Sequence, residues 1–346
     1  MTNSDIAALF ARFTPLRVGV IGDFAVDFYH QVQEQTGEFS LETGREVYWA
    51  SQPRTAPGGA GNVVQNLAAL GIGSLRVFGC AGQDVFGREL RHLLNSLGVD
   101  TSALLDTPGW DTCTYTKPHA PEGETHRLDF GTHNVLPDAI FNDLLARLEQ
   151  ALPSLDGLVV NQQFPNPLLD GARLGALNAL LARFPACRIV ADLRDFGLLV
   201  RGATLKVNTA ELARLLDTTA SDDLDWCLRH GELLRKTIDG TVVITRGERG
   251  LVYVGEPDVY TEPGLPLLGS LDPVGAGDTV VAALAACLGV GASPTEALRV
   301  ANLAAAVTVQ KIGQTGTAKL EEVLELNAST LVASARHDAV GNHFLP

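Results

Sequence analysis

The sequence predicts an α/β fold, a mostly parallel sheet covered on both faces by helices, with a small β-strand lid. Three observations predict it. Short β-branched runs alternate with segments of helical period along most of the 346 residues. Glycine, at 35 residues, punctuates the strand-to-helix turns. Two polar, strand-like stretches, within about 28–57 and 110–130, do not suit a buried core.

The elements follow in order. Asn3 or Ser4 caps a short amphipathic helix. Arg17-Val-Gly-Val-Ile-Gly22 is a buried strand. Val63–Leu70 has helical spacing and stops at Gly71, and Asp84–Leu97 is a helix that stops at Gly98. Leu75–Phe78 is a strand between them. Thr112–Lys117 and His126–Phe130 form an exposed strand pair, as does the polar stretch 28–57. Residues 138–152 are an amphipathic helix and Gly157–Asn161 a buried strand. Regular alternation follows: helix Leu168–Phe184, strand Arg188–Asp192, strand Leu205–Val207, helix Thr209–Leu216, helix Leu224–Ile238, strands Thr241–Thr245 and Leu251–Val254, then helices Thr279–Gly289 and Pro294–Val309. The last twenty or so residues carry little pattern and are expected to fray. One large domain over 1–346 is expected, its two polar strand pairs joined as a lid that excludes water.

Bulk properties narrow the function. The formal charge of −14 argues against nucleic acid as a partner. The apolar run Val280–Val290 is too short to span a membrane and reads as a buried helix. The N-terminus lacks the basic start and apolar core of a signal peptide. Five scattered cysteines without a C-x-x-C spacing suggest reduced thiols in a cytoplasmic protein.

Five segments carry chemistry. In Asp272-Pro-Val-Gly275-Ala276-Gly277-Asp278, two glycines open a tight turn before an apolar helix. The helix start is an anion site, and Asp278 beside it is either a general base or a helix cap. Pro57-Gly58-Gly59-Ala60-Gly61-Asn62 precedes another helix. Asn62 there suits a sugar hydroxyl, or merely caps the helix. Asp23 and Asp27 stand at the end of the first strand, where open α/β sheets bind ligands, and either can serve a polyol or be a loop acid. Asn208-Thr-Ala-Glu211 offers an amide and a carboxylate to a hydrated Mg²⁺, or forms a cap. Thr245, Gly247 and Gly250, in a strand running into a turn, either line a nucleotide edge or are a plain β-turn. No Walker motif, G-x-G-x-x-G spacing or protein-kinase signature is present.

These segments, in this order, resemble the ribokinase-like PfkB family of carbohydrate kinases, from about Arg17 to about Leu326. Gly58-Gly59 with Asn62 looks like the family's first signature. Asp272–Thr279 looks like the second, with Pro273 where Thr is common, and Asn208–Glu211 looks like its N-x-x-E element. Within the family the chain resembles kinase domains acting on D-glycero-β-D-manno-heptose 7-phosphate. That likeness rests on Asp23 and Asp27, Pro57–Asn66, Arg127-Leu-Asp129-Phe, Arg201–Thr204 and Lys311-Ile-Gly313. Asn161-Gln162-Gln163-Phe164-Pro165-Asn166 departs from it where Asp and Lys are usual, and Arg194 follows Asp192 in place of a Lys. Whether the acceptor carries a phosphate is therefore open.

The resemblance implies a ribokinase-like three-layer sandwich with a β lid, and ATP with Mg²⁺; a monovalent cation is an optional addition, and a homodimer through the lid follows if its strands offer an apolar face to a partner. It implies Asp278 as base; Gly275, Ala276 and Gly277 as the anion hole; and Asp23, Asp27, Gly58, Gly59 and Asn62 on a sugar or sugar phosphate. Asn208 and Glu211 then reach the metal through water, and Thr245, Gly247, Gly250 and Asn302 lie near the nucleotide. Arg127, Asp129, Arg194 and Lys311 are weaker candidates. A nucleoside kinase, with Phe28, Tyr29, Phe39, Tyr48 or Trp49 stacking a base, and a catalytically weak binding protein are the alternatives.

Overall fold

A computed structural model describes residues 1–121 and 123–341. Its strands are β1 (Arg17–Gly22), β2 (Phe24–Gln33), β3 (Trp49–Gly59), β4 (Ser74–Ala81), β5 (Asp100–Asp106), β6 (Thr114–Ala120), β7 (Gly123–Glu124), β8 (Asp129–Phe130), β9 (Gly157–Gln162), β10 (Arg188–Leu193), β11 (Thr204–Asn208), β12 (Thr241–Thr245), β13 (Leu251–Val254) and β14 (Val259–Glu262). Its helices are α1 (Asn3–Ala11), α2 (Ala60–Ala69), α3 (Val85–Ser96), α4 (Asp138–Ala151), α5 (Gly171–Leu181), α6 (Thr209–Leu215), α7 (Leu224–Ile238), α8 (Ala276–Gly289), α9 (Pro294–Thr308) and α10 (Leu320–Gly341).

Nine strands form the main sheet, in the order β14-β13-β12-β11-β10-β9-β1-β4-β5. All neighbours from β12 to β5 are parallel, and β13 and β14 extend the edge antiparallel. Alternation along each strand splits the apolar residues between two cores. Val159 of β9 belongs to the core built with α1, α2, α8 and α9, while Leu158 and Val160 belong to the core built with α4, α5 and α7. The result is three layers. β1, β9 and β10 are buried on both faces, which is why they read as continuous apolar runs.

The small sheet runs β3-β2-β6-β7, with β8 also on β6. β2 starts two residues after β1, so the lid grows directly out of the central sheet, its burial falling from Phe24 toward Gln33. The two polar stretches do pair with each other, β2 lying parallel to β6.

Four expectations are corrected. Thr2, not Asn3 or Ser4, caps α1, in a reciprocal box with Asp5. Helix α5 starts at Gly171 behind an Asp170 cap, because Leu168 and Leu169 are spent in the core as loop residues. Strands β5 and β14 were not anticipated. The C-terminal stretch is helical through Gly341, with Val323 in the core; residues 342–346 lie outside those described. Among the described residues, no helix is long and apolar enough to cross a membrane.

Candidate active site

The first turn of α8 stands between two cavities. One, of about 390 Å³, is polar; its walls include Asp27, Gly59, Asn62, Lys117, Arg194 and Asp278. The other, of about 720 Å³, is largely apolar: Leu251, Leu271, Val280 and Val309 line it alongside Thr245, Gly247, Gly250 and Asn302. Ala276 and Gly277 face the second cavity and Asp278 the first.

Gly275 is the N-cap of α8, with φ 82°, and no side chain caps the helix. A Cβ on Gly275 would come within 2.5 Å of Thr315 Cγ2, so only glycine fits. Ala276 N–H donates to the Pro273 carbonyl at 3.2 Å, which removes it from the expected anion hole. The N–H groups of Gly275 and Gly277 have no protein partner among the described residues. With the helix dipole they make the anion site.

Asp278 is the third residue of α8 and caps nothing, so the capping alternative fails. Its pKa is pushed up to about 7. Burial is the largest cause, and the nearby Asp192 and Asp27 add to it, while Lys206 and a hydrogen bond from Asn62 pull the other way. Asn62 is held in place at the start of α2, its Oδ1 accepting from Gln65 Nε2 at 3.0 Å.

Asp27 is buried on β2, where its Oδ2 accepts from Lys117 Nζ at 2.9 Å and from Thr315 Oγ1 at 3.4 Å. Burial raises its pKa, offset in part by Lys117. Gly58 lines neither of these two cavities. Its role is to leave room, since a Cβ there would sit 2.8 Å from Asp27 Oδ1.

Asp23 is a correction. Its carboxylate is buried and accepts the backbone N–H groups of Gln163 (2.8 Å), Phe164 (3.0 Å) and Leu168 (2.7 Å). It anchors the loop after β9 and does not line the polar cavity. The loop it anchors does: Gln163, Phe164 and Pro165 form one wall.

Asn208 and Glu211 form a reciprocal capping box on α6, Asn208 Oδ1 accepting from Glu211 N and Glu211 Oε2 from Asn208 N, both at 2.8 Å. They line neither cavity. Their oxygen-only donors fit a hydrated Mg²⁺, with Glu211 Oε1 free of the cap. Among the described residues, no cluster of three or more His, Cys, Asp or Glu could hold a metal by itself. Asn302 donates to the Pro263 carbonyl at 2.8 Å on the apolar cavity's wall.

Several groups at the site were missed or undervalued in the sequence. Lys206, buried on β11, pairs with Asp192 of β10 at 2.9 Å. Burial pushes its ammonium down, but Asp192, Glu211 and Asp278 outweigh this and hold it above its ordinary value. A Cβ on Gly277 would lie 3.2 Å from Lys206 Nζ, so a cation sits under the anion turn. Tyr115 and Lys117 of β6, with Cys113 just before the strand, line the polar cavity at alternate positions, a period-two signal that was readable. Arg127 pairs with Asp129 at 2.7 Å and covers the Tyr115 ring at 4.8 Å, and Arg194 donates to Gln163 Oε1 at 3.1 Å. Lys311 stands apart, bound to Glu322 and the Thr317 carbonyl.

The chain is similar to known proteins in sequence and in fold. The chain is 30% identical to the bifunctional protein HldE of Gluconacetobacter diazotrophicus over 91% of its own length and 65% of the relative's. It is 33% identical to that of Alkalilimnicola ehrlichii, over 90% and 63%. It thus spans under two thirds of the length of these curated relatives. Its fold is that of phosphofructokinase-2 from Escherichia coli, solved in complex with potassium (TM-score 0.73, 20% identity, 91% of this chain and 99% of that one). The Arabidopsis thaliana ribokinase complexed with ribose and ATP shares it too (TM-score 0.70, 17% identity, 90% and 98%). Residues 16–320 match the pfkB family carbohydrate kinase description, and the chain belongs to that family.

Proposed function

We propose that the chain is an ATP-dependent kinase that transfers the γ-phosphoryl group to a hydroxyl of a sugar or sugar phosphate. One observation carries the reading: a single glycine turn, with a cation beneath it, has an apolar cavity on one side and a carboxylate-bearing polar cavity on the other. Phosphoryl transfer requires this arrangement of a donor and an acceptor on either side of an anion site.

The apolar cavity takes the nucleotide and the polar one the acceptor. Asp27 and Asn62 orient the sugar hydroxyls. Asp278 accepts the proton of the attacking hydroxyl. The N–H groups of Gly275 and Gly277 and the Lys206 ammonium stabilise charge on the moving group. Asn208 and Glu211 would hold Mg²⁺ through water, where the ion neutralises phosphate charge. A potassium requirement belongs to the same reading, supported by the potassium complex of the E. coli relative. A homodimer through the lid is supported by exposed Phe39, Leu41 and Trp49 at its tip.

Asp278→Asn is expected to bind ATP normally and to lose turnover by roughly 10²–10⁴-fold or more. A sugar, sugar-phosphate and nucleoside panel with ATP-consumption readout tests this; unchanged turnover in the variant refutes the base. Tyr115, Phe130 and Phe164 in the polar cavity favour a nucleoside acceptor as the second reading, while Lys117, Arg127 and Arg194 favour an anionic sugar. The panel separates the two.

A further inference from the structure

The lid carries another cavity, of about 640 Å³, whose walls include Tyr29, His30, Gln52, Arg54, His119 and Gly313. Among the described residues no acid lines it, in a chain with 40 Asp and Glu against 26 Lys and Arg. The net charge of −14 repels anions at long range, whereas an arginine and two imidazoles line this cavity.

Strand register assembles the site. Tyr29 of β2 stands opposite Arg54 of β3 and beside Lys117 of β6. The Arg54 guanidinium lies 4.7 Å from the Tyr29 ring centroid, and Lys117 Nζ lies 4.9 Å from it. Arg54 Nη2 donates to the Gly313 carbonyl at 2.9 Å, which fixes the head and leaves its remaining N–H groups for a ligand. Next in the strand is a bulge, with Gln52 and Pro53 opposite the single His30, and Gln52 at φ 51°. A bulge re-aims side chains, and a left-handed non-glycine residue is strain that a functional site accounts for. His30 Nδ1 is buried there without a partner among the described residues.

We propose that this cavity binds a phosphate-type anion on Arg54, and that its occupancy is felt in the polar cavity through Tyr29 and Lys117. Lys117 Nζ donates both to Asp27 Oδ2 (2.9 Å) and to Tyr29 Oη (3.3 Å), and Tyr29 Oη also bonds Thr315 Oγ1 at 3.0 Å. Thr315 in turn packs under Gly275. An anion that draws Arg54 off the Tyr29 ring changes the position of the ring that Lys117 and Thr315 share. The coupling rests on the proposed acceptor site, whereas the anion binding does not. Two sources supply the same chemistry: a phosphate at the far end of the acceptor, or a free anion acting as an effector.

The test titrates inorganic phosphate into the full chain by calorimetry, with a non-hydrolysable ATP analogue and Mg²⁺ saturating the anion turn. One saturable site is expected. Arg54→Gln should weaken it by roughly tenfold or more, the loss of a charge-assisted hydrogen bond. Arg194→Gln, which alters the polar cavity, should leave it unchanged. No binding, equal binding in Arg54→Gln, or a loss confined to Arg194→Gln overturns the proposal. If Arg54→Gln does not fold, His119→Gln reads the same wall. Displacement of phosphate by a hexose 6-phosphate but not by the parent hexose identifies the acceptor's own phosphate; phosphate that stays bound beside the sugar phosphate identifies a free anion. Turnover is measured separately, so a chain that binds phosphate on Arg54 but phosphorylates no acceptor refutes the kinase reading alone.

Discussion

The chemistry of single residues sets how the site responds to pH. Asp278 can take a proton only as a carboxylate, and its pKa of about 7 places the change inside the physiological range. Turnover should therefore fall about tenfold per unit of pH below about 7 and level off above it. A pH–rate profile flat from pH 5 to 8 would remove Asp278 as the titrating base. Lys206 tunes this response. Lys206→Met leaves the buried Asp192 without its partner, a loss of about 3–5 kcal/mol in thermal unfolding. It also takes away the cation that lowers the Asp278 pKa, so the acid limb should move to higher pH. Replacing both partners, as Asp192→Asn with Lys206→Met, should recover much of the stability. Little of this was legible in the sequence. Lys206 sits in Thr204-Leu-Lys-Val-Asn208, where one lysine in a short apolar strand gives no sign that it is buried. Its partner lies on another strand, and only the parallel pairing of β10 with β11 joins them.

At the scale of elements, legibility follows the range of the interactions. Local signals gave α7 and β12 at the bounds seen, because capping and β-branched runs act within a few residues. The lid strands were legible by contrast, as polar strands that no core could use. Strand β5 was not, since Asp100-Thr-Ser-Ala-Leu-Leu-Asp106 is closed at both ends by acids and gains its strand character only beside β4. The same limit explains Asp23. A carboxylate at a strand end reads as a ligand, and nothing local shows that three N–H groups some 140 residues later will claim it. Asp23→Asn turns an acceptor oxygen into an amide donor facing backbone N–H, leaving at least one unpaired. The expected cost is about 1–3 kcal/mol in thermal unfolding. Because Gln163, Phe164 and Pro165 wall the polar cavity, KM for the acceptor should rise while KM for ATP stays unchanged. An equal rise in both would mean that Asp23 holds more than this loop.

Across the whole molecule, stability and activity should run in opposite directions with pH. Burial raises the pKa of Asp23 to about 6 and of Asp278 to about 7, against 3.8 for each in the unfolded chain. Between these values the folded chain holds protons that the unfolded chain has lost, so stability falls as pH rises through this window. Each unit of separation is worth about 1.4 kcal/mol for a fully enclosed group, and less for Asp278, which keeps some contact with solvent. The net charge of −14 adds self-repulsion in the same direction. Acids held below the ordinary carboxylate range, such as Glu232 beside Arg235 and Asp156 beside Arg17, have the opposite sign; their contribution is lost only as pH falls through their lowered folded-state values. Thermal unfolding followed from pH 4 to 9 should therefore give a highest Tm near about pH 5, the acid side of the usual range. Turnover would meanwhile still be climbing. In Asp278→Asn the decline in Tm from pH 5 to 8 should be shallower and Tm at pH 8 higher than in the parent, since the buried charge is gone. A variant whose Tm tracks the parent across that interval would mean that Asp278 is solvated well enough to ionise at its ordinary value, and the acid limb of the rate profile would then have to come from another group.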